Sequence, residues 1–256
     1  NITHVDGTID PVRDKEIIDL ELILKDLETI EKRIGKVQKQ AQTGGDKTAK
    51  RQYDILMEYK ETLLAGRAAR SIELDKEDRK LMQDLCLLTD KPVMYVCNVD
   101  EASAASGNQY VEQVRKAVEG ENAEILVVAA ATEADIAELE SYEERQMFLE
   151  ELGLKESGVT RLIHSAYSLL NLETFFTTGA DESRAWTYMK GTKAPQAAGI
   201  IHSDFERGFI RAEVIKYADY VALGSEKACR EVGKIGVEGK EYVVQDGDIM
   251  HFLFNV

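Results

Sequence analysis

Two largely apolar runs, separated by a helix-length segment, constrain the fold of this chain more than any other feature. The runs are VMYVC at residues 93–97 and AEILVVAAA at residues 123–131, and both favour β-strands. Strands that are apolar on both sides occur mainly in parallel sheets covered on both faces. With a helix over residues 107–118 between them, they predict an α/β fold built on a parallel sheet. Further helices are predicted over residues 75–90, from near Thr132, over 141–152 and over 158–170.

A polar tetrapeptide, Asn98 to Glu101, follows the first of these strands. Both strands should end at the same edge of the sheet, which would bring Asn98 close to residues 129–132. Ligand sites of open parallel sheets form at that edge. The alternative is an ordinary strand-to-helix turn with Glu101 near the helix start, and these residues alone favour that simpler interpretation.

A helical stripe precedes the sheet. From Asp14 to about Ala41 apolar residues recur every three or four positions, and the pattern restarts after the break TGGD at residues 43–46. Pro11 stands just before the stripe, where helices often begin. The pattern predicts an antiparallel helical hairpin, a coiled coil that projects on the order of 40 Å. Its apolar positions are Ile17, Leu20, Leu24, Leu27, Ile30, Ile34 and Val37, followed by Ala49, Tyr53, Leu56, Met57, Leu63 and Leu64.

The formal net charge of −15 is unevenly distributed along the chain. Residues 31–70 carry ten Lys or Arg and five Asp or Glu, whereas residues 98–157 carry four basic and fifteen acidic residues. An acidic protein can contact nucleic acid through a single basic arm, and the hairpin is the candidate here. A solvated helix surface is the open alternative. The candidate phosphate contacts are Lys32, Arg33, Lys36, Lys39, Lys47, Lys50 and Arg51.

The last third of the chain has a different pattern. Short strand-like runs separated by turns surround one helical segment at 194–205, and together they predict a mixed sheet wrapped on a helix, as in a β-grasp module. We expect its aromatic residues Phe175, Phe176, Trp186 and Phe205 in the core. Four basic residues, Lys190, Lys193, Arg207 and Arg211, are weaker candidates for an RNA surface. The strand-like runs are TFFTT (174–178), RAWTYM (184–189), GFIRAEVI (208–215), EYVVQDG (241–247) and DIMHFLFNV (248–256).

Several long stretches resemble one family closely. They are CNVDE (97–101), AAATEADIAEL (129–139), NLETFFTTGADESRAWT (171–187), GTKAPQAAGIIHSDFERGFIRAEVI (191–215) and VVQDGDIMHFLFNV (243–256). The chain is similar over nearly its whole length to the YchF family of Obg-like ATPases. The resemblance implies a P-loop NTPase-like domain at 1–13 and 75–171, an inserted hairpin at 14–74, and a ubiquitin-like TGS domain at 172–256.

The same resemblance implies a function. Members of the family are implied to bind and hydrolyse ATP with Mg²⁺ and to associate with ribosomes or RNA. No apolar run approaches the roughly 18 residues of a membrane helix, so we expect a cytoplasmic protein with no membrane partner. We also expect a monomer. A non-catalytic RNA- or ribosome-binding adaptor, in which ATP is a structural ligand, is the alternative.

The tetrapeptide NVDE now acquires a chemical interpretation. The corresponding motif of GTPases is NKxD, whose Asp accepts hydrogen bonds from the guanine ring N–H and amine. Here Val99 replaces the Lys and Glu101 replaces the Asp, so the bidentate contact is lost and guanine has no advantage over adenine. The nucleotide-binding residues that the resemblance implies are Asn98, Val99, Glu101, Ala129, Ala130 and Ala131.

Two elements of such an ATPase are missing or uncertain. The sequence contains no GxxxxGK[ST] loop, so the phosphate cradle and the Mg²⁺ ligands are absent from it. Because it also begins with Asn rather than Met, we interpret the chain as part of a longer protein that alone binds ATP poorly and hydrolyses none. His4 is the candidate catalytic residue, because the family lacks the usual water-orienting Gln; a surface-loop histidine is the alternative.

Overall fold

The computed structural model of this chain describes residues 7–43, 46–121, 123–179 and 182–255. The chain divides into two compact units, Asn1–Leu162 and Ile163–Val256. The first contains two long helices and a small parallel sheet with its helices, and the second contains a larger mixed sheet. Within the described ranges, every helix is too short or too polar to cross a bilayer.

Two helices form the predicted hairpin. α1 spans Pro11–Gln42 and α2 spans Lys47–Leu64, and they pack side by side. Each begins at a capping aspartate: Asp10 accepts a hydrogen bond from the Arg13 N–H, and Asp46 accepts one from the Ala49 N–H. The predicted helices are therefore confirmed, with α1 starting at the proline that precedes the stripe.

The apolar stripe of α1 is only partly buried. Its buried positions are Ile23, Asp26, Ile30 and Val37, whereas the stripe residues Ile17, Leu20 and Leu24 are 45, 56 and 53% exposed. The expected packing of the stripe is therefore wrong at these three positions. Leu24 faces solvent although its neighbour Ile23 is buried, whereas Ile17 and Leu20 are exposed because the helices differ in length. α1 is about 48 Å long and α2 about 27 Å, so α2 covers only the C-terminal part of α1.

The predicted helix over 75–90 is shorter than expected. α3 spans Lys76–Met82, and a 3₁₀ turn follows at Gln83–Leu85. Cys86 then adopts a left-handed φ of 50°, which ends the helical path. The buried carboxylate of Asp26 fixes the next residues, because it accepts hydrogen bonds from Leu88 N (2.8 Å), Thr89 N (2.7 Å) and Thr89 Oγ1 (2.7 Å).

The parallel strand pair is confirmed. β1 and β2 pair in register from Met94↔Glu124 to Asn98↔Val128. The expected covering of both faces is wrong for the described residues, since Val96 in the middle of β1 is 51% exposed. The elements of this region are β1 (Met94–Asn98), α4 (Gln109–Ala117), β2 (Glu124–Val128), α5 (Ala130–Glu138), α6 (Tyr142–Glu151) and α7 (Gly158–Leu169).

The second unit is a five-stranded mixed sheet, as predicted. Its strand order is β4-β3-β7-β5-β6, with β3 and β7 parallel and the other neighbours antiparallel. The elements are β3 (Leu172–Thr178), β4 (Ser183–Met189), α8 (Ala194–Ile201), α9 (Ser203–Arg207), β5 (Phe209–Lys216), α10 (Tyr217–Leu223), α11 (Glu226–Glu231), β6 (Ile235–Glu238) and β7 (Asp248–Phe254).

The core of this sheet lies against α8. Phe175 is fully buried there, and the other three predicted core aromatics, Phe176, Trp186 and Phe205, pack against buried clusters. The predicted strand at 241–247 is wrong: it forms only an isolated bridge between Lys193 and Val243.

Buried Asp248 explains why this segment does not form a strand. Its carboxylate accepts hydrogen bonds from the Tyr242 hydroxyl at 2.6 Å and from the Gln245 N–H at 2.9 Å. These bonds fold the segment around the carboxylate. The helices α10 and α11 and the strand β6 were not predicted from the sequence.

Candidate functional site

The carboxyl ends of β1 and β2 meet at one edge of the small sheet. The Val99 N–H donates to the Val128 carbonyl at 2.9 Å, which extends the pairing one residue past β1. The Asn98 side chain reaches across the edge, and its Oδ1 accepts a hydrogen bond from the Ala130 N–H at 3.0 Å. The structure therefore brings Asn98 and Val99 together with the first turn of α5.

The turn that follows β1 has one structural acid and one exposed acid. The Asp100 carboxylate accepts from the Ser103 N–H at 3.0 Å and so caps a 3₁₀ turn over Glu101–Ser103. The Glu101 side chain is exposed and makes no hydrogen bond or ion pair within the described residues. Ala129 is buried, whereas Ala130 and Ala131 are exposed. All six predicted nucleotide-binding residues thus lie at this edge, which we call the strand-end turn (98–101 and 129–131).

The charge of the strand-end turn is negative. Asp100 and Glu101 belong to it, Glu133 follows in α5, and residues 98–101 and 129–133 include no Lys or Arg. The turn offers backbone groups and one side-chain amide rather than cations. Such a surface suits an uncharged hydrogen-bonding ligand better than a phosphate, which the carboxylates would repel.

A cleft of about 710 Å³ lies beside β1, between α1 and α4. Its walls include Ile18, Val96 and Val111 together with Lys15 and Asp19. The cleft opens on the exposed side of β1, at the strand that leads to Asn98.

A polar network at this cleft ties α1 to β1. Lys15 Nζ lies 2.6 Å from Asp19 Oδ2 and 2.6 Å from Glu121 Oε1. The Tyr95 hydroxyl donates to Glu121 Oε2 at 2.9 Å, and Arg70 pairs with the same oxygen at 3.2 Å. The base of the hairpin is thereby fixed to the strand that carries the turn.

Burial and hydrogen bonding shift the pKa values of Lys15 and Glu121 in opposite directions, and that of Tyr95 in the same direction. Burial disfavours the charges, but the hydrogen bonds of Lys15 to Asp19 and Glu121 outweigh it and raise the Lys15 pKa. The Glu121 pKa is lowered because hydrogen bonds from Lys15 and Tyr95 outweigh burial. Burial and the bond to Glu121 raise the pKa of Tyr95. Lys15 and Glu121 are therefore charged at neutral pH, and Tyr95 is neutral.

The basic residues of the hairpin fall into two classes. Arg33 pairs with Asp84, and Arg51 makes a forked contact with Asp78 that lowers the Asp78 pKa. The other five are exposed and form no hydrogen bond or ion pair with any residue that the structure describes. These five, which we call the hairpin lysines, are Lys32, Lys36, Lys39, Lys47 and Lys50.

The basic residues singled out in the second unit are mostly neutralised. Lys190 pairs with Glu173 at 3.2 Å, and Lys193 and Arg207 pair with the acids Glu241 and Asp204. Of the four candidates, only Arg211 forms no ion pair among the described residues.

Comparison with known proteins identifies the family. A family model described as YchF-GTPase_C, a protein of unknown function (DUF933), matches residues 172–255. The ribosome-binding ATPase YchF of Bacillus subtilis (strain 168) is 56% identical over 258 residues, which cover all of this chain and 70% of the relative. The chain belongs to the YchF family.

The names of two further relatives state different activities, one an ATPase and the other a GTPase. The Obg-like ATPase 1 of Gallus gallus is 42% identical over the whole chain and 65% of its own length. The solved structure of the Schizosaccharomyces pombe YchF GTPase superposes with a TM-score of 0.85 at 34% identity, covering 99% of this chain and 68% of that one. These names therefore do not indicate whether the strand-end turn prefers adenine or guanine.

The structure does not test the predicted catalytic residue, and its described part contains no metal-binding cluster. His4 lies outside the described residues. No group of three or more His, Cys, Asp or Glu side chains that could hold a metal occurs in the described ranges.

Sequence reasoning missed the Lys15–Glu121–Tyr95 network, the Asp26 anchor and the ion pairs of Arg33 and Arg51. The partners in these contacts are separated by between 26 and 106 residues along the chain. No local pattern connects residues so far apart, and only the tertiary fold reveals them.

Proposed function

We propose that this chain supplies the base-binding and partner-binding parts of an Obg-like ATPase. The strand-end turn binds the adenine of ATP, and the hairpin contacts ribosomal RNA. The observation that carries the proposal is the hydrogen bond from the Ala130 N–H to Asn98, because it closes the NVDE turn against α5. Relatives named ribosome-binding ATPases support the same activity.

The hydrogen bonds at the turn indicate how adenine would be read. The Val99 N–H already donates to the Val128 carbonyl, so the Val99 carbonyl is the group left to accept from the adenine amine. The first N–H groups of a helix lack intrahelical acceptors, and that of Ala130 is held by Asn98. The N–H of Ala131 can therefore donate to the ring nitrogen that adenine presents as an acceptor.

Glu101 favours adenine because it cannot make the bidentate contact that would select guanine. An Asp at this position would hold guanine through two hydrogen bonds, whereas the longer side chain of the exposed Glu101 cannot make the same bidentate contact. Guanine would bury its ring N–H without a partner, which costs about 1–3 kcal/mol. Adenine has no N–H at that ring position, so its binding buries no unpaired donor there.

Hydrolysis requires parts that this sequence does not include. We propose that the phosphate-binding loop and the Mg²⁺ ligands belong to chain beyond these 256 residues, so the chain alone binds ATP weakly and hydrolyses none. His4 is our proposed water-orienting residue. In a protein that includes the loop, H4A should lower turnover with little change in ATP affinity, and unchanged turnover would remove His4 from the mechanism.

The second unit is, we infer, a TGS-type β-grasp domain beginning near residue 172. Its parallel central pair, β3 and β7, with α8 against one face, supports this interpretation. So does the match of the YchF-GTPase_C model, which begins at residue 172.

Calorimetric titration with ATP tests the adenine proposal in a protein that includes the phosphate-binding loop. Asn98→Ala should weaken ATP binding by at least about tenfold, because one hydrogen bond and the closure of the turn are lost. Gln113→Ala, an exposed change on α4, is the matched control and should bind normally. Equal ATP affinity in the Asn98 variant and the control would refute the proposal.

A non-catalytic adaptor is the second candidate function, and the unpaired hairpin lysines favour it. Phosphate contacts by free cations release counterions, so RNA affinity should fall steeply with salt. Filter binding of the 256-residue chain to a structured RNA at several salt concentrations tests this. A salt-insensitive affinity would argue against RNA binding by the hairpin, and failure of the loop-containing protein to bind ATP would leave only the adaptor.

A further inference from the structure

The first turn of α5 has no capping side chain of its own. Its N-cap residue is Ala129, which offers no acceptor, and α5 is only nine residues long. Short isolated helices are marginal in water. The conformation of this turn, which carries half of the proposed base-binding residues, must therefore be fixed by neighbouring elements. Asn98 provides one such contact through the Ala130 N–H.

Glu133 provides a second contact on the opposite side of the same turn. Its backbone N–H donates to the Ala129 carbonyl at 2.9 Å. Its side-chain Oε1 accepts a hydrogen bond at 2.5 Å from the N–H of Gly158, which is the first residue of α7. A carboxylate at this position also interacts favourably with the N-terminal end of the twelve-residue α7.

The approach of α7 to this turn depends on glycine. A Cβ atom at residue 158 would lie 2.8 Å from Glu133 Oε1 and 2.9 Å from Val128 Cγ1, both too close for real contacts. One turn later, Arg161 Nη2 donates to the Val127 carbonyl at 2.9 Å. The first turn of α7 is thus joined to β2 by the Arg161 hydrogen bond and to α5 by the Glu133 hydrogen bond, and the absence of a side chain at Gly158 permits this close approach.

We propose that Glu133 is a positioning residue for the strand-end turn. Its carboxylate holds the α5 first turn against α7, so that Asn98 and Gly158 together fix the backbone groups of residues 129–131. Glu133 touches no nucleotide in this arrangement. The inference rests on the proposed adenine site and adds to it a residue outside the implied base-binding set.

Amide hydrogen exchange of the 256-residue chain tests the structural link without any nucleotide. In Glu133→Ala, exchange should rise about tenfold at the Gly158–Arg161 amides and also at the Ala130 amide. Asp135→Ala, an exposed acid on the same helix, is the matched control and should change neither. Faster exchange in α7 with an unchanged Ala130 amide would overturn the proposal, since Glu133 would then only cap α7.

If Glu133→Ala does not fold, the more conservative Glu133→Gln can be used for the same exchange measurement. Glu133→Gln retains an oxygen that accepts from the Gly158 N–H but loses the charge, and it should raise exchange at both places by about threefold. Faster exchange of the Gly158–Arg161 amides with an unchanged Ala130 amide overturns the proposal in this variant as well.

ATP binding in a protein that includes the phosphate-binding loop separates this inference from the proposed function. Glu133→Ala should raise the Kd for ATP about tenfold and leave turnover at saturating ATP close to wild type. Wild-type ATP affinity in the variant overturns the positioning role. If the unchanged protein itself binds no ATP, the adenine site fails, whereas the exchange experiment still decides whether Glu133 holds the turn.

Discussion

The strand-end turn and the hairpin lysines are both exposed regions of the first unit, and they carry opposite charges. The turn presents Asp100 and Glu101 and no cation, whereas the hairpin presents five ammonium groups without ion-pair partners among the described residues. Backbone phosphates are held by free cations, and bases are read by directed hydrogen bonds. The difference favours our proposal that a polyanion binds the hairpin and a base binds the turn, with the phosphates of the nucleotide held elsewhere.

Reversing the charge of the hairpin lysines is the largest expected effect. Changing all five to Glu should lower RNA affinity at low salt by about 10³-fold. The slope of log K against log salt concentration should become less steep by about 3.5 to 4.5. ATP affinity of the loop-containing protein should not change. Filter binding over a salt series measures the first effect, and titration with ATP measures the second.

The matched control for that experiment reverses Lys190, Lys193, Arg207 and Arg211 in the second unit. Three of these already face carboxylates, so RNA affinity should fall by less than about tenfold. A loss as large as that of the hairpin variant would contradict the contrast between free and neutralised cations.

Loss of the buried Asp26, which fixes residues 88 and 89 against the hairpin, is the next largest expected effect. This buried acid is satisfied by two backbone N–H groups and a hydroxyl rather than by a lysine. Asp26→Ala leaves those donors unpaired and should lower the free energy of unfolding by about 2–4 kcal/mol in urea titration. Glu21→Ala, an exposed change on the same helix, should be within about 0.5 kcal/mol of wild type. Equal stabilities for the two variants would contradict the role of Asp26.

Freeing Arg51 from its ion pair should increase the RNA affinity of the hairpin by a smaller factor. Asp78→Asn removes the carboxylate that holds this guanidinium, and RNA affinity should rise about two- to fivefold because one more cation can meet a phosphate. Glu77→Gln removes the same charge without freeing an arginine, so it measures the effect of net charge alone. If the two variants gain equally in filter binding, Arg51 does not contact RNA.

Changing the pH from 8 to 5 should have the smallest effect on RNA binding by the hairpin. The Arg51 guanidinium lowers the pKa of Asp78, so that carboxylate stays ionised until the pH falls below the ordinary Asp value of about 3.9. No histidine lies between residues 5 and 163. RNA affinity should therefore vary less than about twofold over this range, and a rise well above pH 4 would show that the Arg51–Asp78 pair opens earlier than its geometry predicts.

Much of the architecture could be predicted because it is encoded locally. The periodic stripe and its break predicted the hairpin, and the two apolar runs predicted parallel strands whose ends place Asn98 beside Ala130. The exposed positions Ile17, Leu20 and Leu24 could not be recognised, because periodicity does not reveal where the partner helix ends.

The contacts that shape the candidate site were less accessible to sequence reasoning. Glu133 and Gly158 are 25 residues apart, and nothing in either neighbourhood indicates that they meet. The segment 241–247 has a strand-like composition, yet the buried Asp248 draws it into a turn. Long-range hydrogen bonds override local propensity in both cases.

The central claim is that hydrogen-bond geometry at the strand-end turn selects adenine. The most direct test is the ATP-to-GTP affinity ratio of a loop-containing protein in which Val99→Lys and Glu101→Asp are combined. We predict that GTP affinity rises and that the ratio falls about 10- to 100-fold, since the restored carboxylate can pair with the guanine N–H groups. A ratio equal to that of the unchanged protein would contradict the claim.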